Sequence, residues 1–113
     1  MENQVIKDTE IKQIREDNLR IRFVGKVVSF DDKTGVFEVE EDAIKITCLP
    51  NYQENIKLEP SELVIVTGRS IAADSSFEVR ADSVEKIDIN DYNNYKKYLI
   101  VRNNLLISDG SRI

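Results

Sequence analysis

The chain of 113 residues contains no histidine and a single cysteine, Cys48. Without histidine the commonest general base and metal ligand is missing, and no cysteine cluster takes its place, so the usual zinc sites are excluded. One cysteine cannot close an internal disulfide. It follows Ile44-Lys45-Ile46-Thr47 on the isoleucine side of an alternating run, where a free cysteine is expected to act as a small buried hydrophobe. No apolar run approaches the roughly 18 residues of a membrane span. The first residues, Met1 to Asp8, lack the basic start and apolar centre of a secretory signal, which makes an intracellular, reducing compartment the expectation. Positive charge is also short: 16 Lys and Arg against 21 Asp and Glu leave a net charge of −5. A dedicated nucleic-acid binder usually carries a basic excess or patch. Adjacent acids such as Asp31-Asp32 and Glu40-Glu41-Asp42 read as turns, and no nucleophile motif or phosphate-cradling glycine loop accompanies them. The expectation is a chain with no catalytic site, no cofactor and no metal.

What the chain does have is tyrosine gathered near its end. Three of its four tyrosines fall between Asp88 and Val101, a segment whose spacing predicts a helix. At about 100° per residue, Tyr92, Tyr95, Leu99 and Leu106 form one stripe, Tyr98, Val101 and Leu105 a second about 120° away, and Ile100 stands apart. One stripe can seat on the chain's own core. The other then faces water, where each large apolar side chain forgoes about 1.5–3 kcal/mol of burial. Tyrosine suits an interface because its ring buries much area while its hydroxyl tolerates a wet rim. Asp88 is placed to cap the first turn with Asp91 as a reciprocal cap, and Lys96, Lys97 and Arg102 fall later, as the helix dipole favours. Asn103-Asn104 offers a stop, although Leu105 to Ile107 suggest continued apolar contact, and a loose end is expected from Ser108.

Ahead of the helix the pattern is extended. Arg20-Ile21-Arg22-Phe23 alternates, and after Gly25 the alternation continues out of strict phase to Phe30, the mark of a bulge or bend in a long strand that can serve two sheets. Asp31 to Gly35 is a turn, and Val36 to Glu40 returns with Phe37 and Val39 inward. Glu41-Asp42 reads as the next turn, and Ala43 to Leu49 as a third strand. Pro50 to Pro60 is an irregular crossing. Leu63 to Arg69, with a second glycine at Gly68, and Ser76 to Val84 complete five strands, with Phe37 and Phe77 assigned to the core. Five bent antiparallel strands closed by a helix fit a mainly β, Greek-key barrel of the OB type. The expected organisation is one domain: residues 1–18 a short helix or arm lying as a lid over the core, 19–86 the barrel, and 88–107 the helix.

Four elements stand out by their order and spacing: Phe23-Val24-Gly25-Lys26-Val27, Thr34-Gly35-Val36-Phe37, Val64-Ile65-Val66-Thr67-Gly68-Arg69, and Asp88-Ile89-Asn90-Asp91-Tyr92-Asn93. Together, over roughly Ile21 to Leu105, they resemble the smallest subunit of replication protein A and the related small subunit of telomeric CST-like single-strand DNA-binding complexes. The resemblance implies a nuclear, heterotrimeric complex of DNA replication, repair or telomere maintenance. In it this chain is a non-catalytic subunit, and single-stranded DNA is met mainly through the larger OB-fold subunits. It also implies that Tyr92, Tyr95, Tyr98, Leu99, Val101 and Leu105 supply the partner contact.

The alternative is an OB module that binds single-stranded nucleic acid directly through Arg20, Arg22, Lys26 and Lys45, with Arg69, Arg80 and Tyr52 as further candidates. Single strands are held by aromatic platforms in a positive groove. The outward residues of the second and third strands, Val36, Glu38, Glu40, Lys45, Thr47 and Leu49, offer no ring and two acids. Interleaved acids favour scattered, solvated cations over a binding track.

Overall fold

The structure is a computed structural model that describes the backbone of residues 5–112 and the side chains of residues 5–103. Its elements in chain order are β1 (Lys7–Asp8), a 3-10 turn (Ile11–Gln13), β2 (Arg20–Phe30), β3 (Phe37–Glu41), β4 (Ile44–Pro50), β5 (Leu63–Ala73), β6 (Ser76–Lys86) and α1 (Ile89–Arg112). The five long strands pair in the order β2-β3-β4-β6-β5, and β5 returns to β2 to close the ring. β4 and β6 run parallel, and every other pair in the ring is antiparallel. This is the closed Greek-key barrel that the strand pattern predicts.

β2 serves both sides of the barrel because it changes partner in mid-course. Arg20 to Lys26 pair with β5, whereas Lys26 to Phe30 pair with β3, so Lys26 stands opposite both Leu63 and Glu40. Gly25 permits the crossing: a Cβ there would lie 3.1 Å from Val39 Cβ and 3.3 Å from the Glu40 carbonyl oxygen. The shift of phase lies further on, at Val28, which bulges out of the ladder between Val27 and Ser29. Gly68 faces a second bulge, where β6 spends the extra residue Asp82, and a Cβ would collide with the Arg80 carbonyl.

Alternation fills the interior. Phe23, Phe37, Val39, Val64, Val66 and Val79 are fully buried, and Cys48 joins them, its thiol pushed up by burial. Phe77 does not: it is half-buried and stands outside the core cluster, contrary to its assigned core position. The hairpin between β3 and β4 also differs from expectation. Its turn residues are Asp42 and Ala43, with φ of 54° and 66°, a two-residue turn that matches the twist of the strands. Glu41 therefore stays in β3 at an inward position, only 4% exposed.

The arm covers one end of the barrel. β1 adds in parallel to the outer edge of β2, pairing Lys7 with Ile21 and Asp8 with Arg22, and two residues are too short to show a period. Ile11 then inserts into the core cluster, where its N–H donates to Glu41 Oε1 at 3.2 Å. On the other side of the interior, Leu58 from the irregular crossing is buried, with Tyr52 and Ile56 packed against the cluster. The helix runs through Asn103 and Asn104 to Arg112, beyond the expected end at 107, since asparagine costs a helix interior only a fraction of a kcal/mol. Among the described residues no helix is long and apolar enough to cross a membrane.

Candidate partner-docking surface

The helix is aimed by its cap. Asp88 Oδ1 accepts the Asp91 N–H at 2.8 Å and the Asp88 carbonyl accepts Tyr92 N–H at 3.0 Å, which satisfies first-turn amides that have no helical acceptor. From there α1 crosses β2 and β5. Leu99 is 1% exposed, and Val24 on the outer face of β2 is equally covered. These two are the buried apolar residues that stand outside the barrel's interior cluster, which places them in the layer between helix and sheet.

Polar contacts fix the same face. Tyr95 donates its hydroxyl proton toward Asp8 Oδ1 at 2.5 Å and lies 2.9 Å from the Arg22 carbonyl. Arg22 grips Asp8 with two nitrogens, Nε to Oδ1 at 2.7 Å and Nη2 to Oδ2 at 3.2 Å, and Arg102 Nη2 donates to the Asp8 carbonyl at 2.7 Å. Burial alone would raise the Asp8 carboxyl, but hydrogen bonds from Arg22 and Tyr95 and the charges of Arg22 and Arg102 outweigh it and hold the group below its ordinary value. The Tyr95 phenol is driven up by burial and by the carboxylate it serves. Next to Tyr95 in the helix, Lys96 Nζ lies 5.4 Å from the centre of the Tyr92 ring and approaches Asp42 at 3.5 Å and Glu41 Oε2 at 3.7 Å. The last distance is too long for a hydrogen bond, and burial pushes the Glu41 carboxyl up despite the Ile11 amide and the ammonium.

The shoulders of the helix have no such cover. Tyr98, Ile100 and Val101 are 52%, 54% and 52% exposed. At about 100° per residue Tyr98 and Val101 share one shoulder, while Ile100 shares the other with Ile89, also exposed. The Tyr98 ring lies against its own helix, tilted toward Tyr95 at 6.5 Å and with Arg102 Cζ 5.9 Å from its centre. Of the six residues assigned to partner contact, Leu99 is therefore sealed against the barrel, Tyr92 and Tyr95 are half-buried in the seam, and Tyr98 and Val101 face outward. The Leu105 side chain lies outside the described residues, as does that of Leu106.

The four candidate nucleic-acid contacts do not form one track. Arg22 is committed to Asp8. Lys26 and Lys45 stand on either side of Glu40 in adjacent ladders, an acid between two bases. Arg20 lies at the far end of β2, in a row with Arg69 and Arg80, and Arg69 donates to Asn18. Glu38 is the next acid along β3 and accepts from Ser29 Oγ at 3.0 Å. Tyr52 packs against the core cluster, so β3 and β4 present no aromatic platform. The arm residue Asp8, central to the clasp, went unpredicted because its helix partner Tyr95 is 87 positions away, beyond any local period.

No protein-family model matches the chain, and no curated protein matches it by sequence. Solved structures do. The telomere capping protein Ten1 from Saccharomyces pombe superposes with a TM-score of 0.70 at 20% identity, over 88% of this chain and 99% of that one. A chain of the S. pombe Stn1–Ten1 complex gives 0.68 at 21% identity, covering 91% and 96%. The second OB-fold domain of replication protein A from Methanococcus maripaludis gives 0.59 at 18% identity, covering 73% and 96%. At these identities the likeness carries the fold, and with the strand order above it makes this chain an OB-fold barrel closed by a C-terminal helix.

Proposed function

We propose that the chain is a non-catalytic small subunit of a replication protein A-like, single-stranded DNA-binding complex. It joins larger OB-fold subunits in a nuclear heterotrimer through the outward side of α1, in DNA replication, repair or telomere maintenance. The observation that carries this reading is the division of the helix: Leu99 is sealed against the barrel with Tyr92 and Tyr95 half-buried beside it, while Tyr98, Ile100 and Val101 are about half exposed among the described residues. Support comes from two sides. The chain shares its fold with Ten1, itself solved in a Stn1–Ten1 complex, and with an OB domain of replication protein A. The β3–β4 face, where an OB barrel takes nucleic acid, carries Glu38 and Glu40 and no ring, which favours DNA contact through the partners.

The test is affinity purification of the tagged full chain from its own cells, with the co-purifying subunits identified by mass spectrometry. The unaltered chain brings down larger OB-fold subunits, and the pair Tyr98→Asp with Val101→Asp loses them while circular dichroism and melting stay unchanged. Retention of the same subunits by the paired variant removes the helix from the assembly. If the lone chain instead binds an oligonucleotide at micromolar concentration, with steep salt dependence and loss on reversing Arg20 and Lys26, the direct-binding module replaces the subunit reading.

A further inference from the structure

An open cleft of about 660 Å³ lies between the arm, the start of β4 and the later part of α1. Lys7, Lys12, Arg15 and Arg102 supply half of its eight lining residues, and no acid lines it among the described residues, although the chain as a whole carries a net charge of −5. Fields from distant acids fade over about 8–10 Å at moderate salt, so a ligand in the cleft meets the local cations. Lys7 and Arg15 are exposed and have no acidic partner among the described residues, and Lys12 reaches Glu10 only at 3.9 Å. Arg102 spends Nη2 on the Asp8 carbonyl, and its buried Nε lacks a hydrogen-bond acceptor among the described residues.

The cleft does not end at its charges. Lys12 and Ile44 also line an adjoining groove of about 210 Å³, whose walls are Ile14, Ile46 and Phe77. Ile44 is 42% exposed at the junction. A basic trough thus opens into an apolar one. At its other end, Arg102 stacks beside Tyr98, so the trough continues from the exposed shoulder of the helix.

We infer that this composite trough receives an acidic polypeptide segment of the partner subunit, with carboxylates over Lys7, Lys12 and Arg15 and an apolar side chain on Ile44 and Phe77. The inference rests on the docking role proposed above and gives the partner's segment its chemistry. Two observations favour a peptide over a nucleic-acid strand. The basic part contains no aromatic ring, and base stacking on such rings is worth about 1–3 kcal/mol per base. The apolar part is mainly aliphatic, which suits leucine or isoleucine side chains, and its one ring, Phe77, is half-buried at the far end.

Fluorescence anisotropy on the full chain tests this, with a labelled synthetic peptide in which Asp and Glu alternate with Leu as the probe. A serine-for-leucine version and a labelled oligo-dT of equal charge serve as competitors. The leucine peptide is expected to bind saturably. Lys12→Glu with Arg15→Glu should weaken it about tenfold or more, equivalent to about 1.4 kcal/mol. Both side chains are exposed, so the melting curve should not move. The serine peptide and oligo-dT should bind more weakly. Absence of binding, indifference to the charge reversal, or equal affinity for the serine peptide overturns the inference. Tighter, reversal-sensitive binding of oligo-dT also overturns it and assigns the trough to nucleic acid. Tyr98→Asp with Val101→Asp removes the ring beside Arg102 but leaves Lys7, Lys12, Arg15, Ile44 and Phe77 in place, so it should leave peptide binding largely intact. Loss of subunits in that variant and loss of peptide binding in the charge reversal are therefore separate results.

Discussion

Tyr95 and Tyr98 are three residues apart on one helix and could hardly differ more in employment. The hydroxyl of Tyr95 reaches both Asp8 and the Arg22 carbonyl, and its ring lies in the seam between helix and barrel. Tyr98 is half exposed, and its ring lies beside Tyr95 and Arg102 of its own helix. The difference shows that the helix is held to the barrel along one narrow strip, where apolar burial at Leu99 is flanked by polar partners brought from the arm and from the β3–β4 hairpin. Beyond that strip the described apolar residues Tyr98, Ile100 and Val101 are about half exposed and add little to the fold of the lone chain.

The strongest way to break this comparison is at Leu99. Truncating a side chain buried to this degree leaves a cavity, and Leu99→Ala is expected to cost about 2–5 kcal/mol. Urea unfolding should show the midpoint fall, with earlier proteolysis of the helix. A cost below about 0.5 kcal/mol, the level of a surface site, would mean that the helix is not seated as described.

Next comes the clasp. Tyr95→Phe keeps the ring and removes the hydroxyl, leaving Asp8 with Arg22 as its side-chain partner, so a loss of about 1.5–3 kcal/mol is expected for a hydrogen bond to a charged group. The acid limb should move as well. The Asp8 carboxyl is held below 3.8 in the folded chain, so its stabilising contribution is complete above that pH and disappears as pH falls through the lower folded value. With one hydrogen bond gone that value rises, and acid unfolding of Tyr95→Phe should begin at a higher pH than in the unaltered chain. An unchanged acid limb would show that Tyr95 does not tune Asp8.

Glu41 tests the same seam with the opposite sign and a smaller effect. Burial raises its folded value above 4.5, so the folded chain holds this proton more tightly than the unfolded one, and the contribution of Glu41 to stability falls as pH rises through that interval. Glu41→Gln retains an oxygen for the Ile11 N–H while removing a buried charge and its attraction to Lys96. Its stability at pH 7 should stay within about 1 kcal/mol of the unaltered chain, because the relieved desolvation offsets the lost ion pair. Urea midpoints measured from about pH 4.5 upward should lose the decline that Glu41 imposes, and an unchanged slope would place the titration elsewhere.

These outcomes also mark how far the sequence could be read unaided. The barrel strands were legible because Phe23, Val39 and Val79 follow an alternating pattern and Val64 and Val66 lie in an apolar run that ends near Gly68, and the two strand glycines marked the places where chains approach most closely. The cap at Asp88 was legible for the same local reason. Glu41 was not, since nothing in a run of three acids says that one will turn inward to meet an amide of the arm. Phe77 misled because a large apolar residue in an alternating strand reads as core, yet it lines the outer groove. The clasp and the basic cleft were beyond reach altogether, because each is assembled from segments far apart in the chain, and no local period links Lys7, Ile44 and Arg102.

The smallest effect belongs to the outer shoulders, and it sharpens the comparison most because it should be nearly nothing. Ile100 and Val101 are each more than half exposed, so replacing them withdraws little burial. Serine lies close to isoleucine and valine in helix propensity, so the backbone is indifferent as well. Ile100→Ser with Val101→Ser should therefore shift unfolding of the lone chain by less than about 0.5 kcal/mol per site. It should also raise the concentration at which the chain stays monomeric in analytical ultracentrifugation, since exposed apolar surface is what draws copies together. A loss comparable to that at Leu99 would show these residues to be covered by the chain itself, and the two sides of the helix would cease to differ.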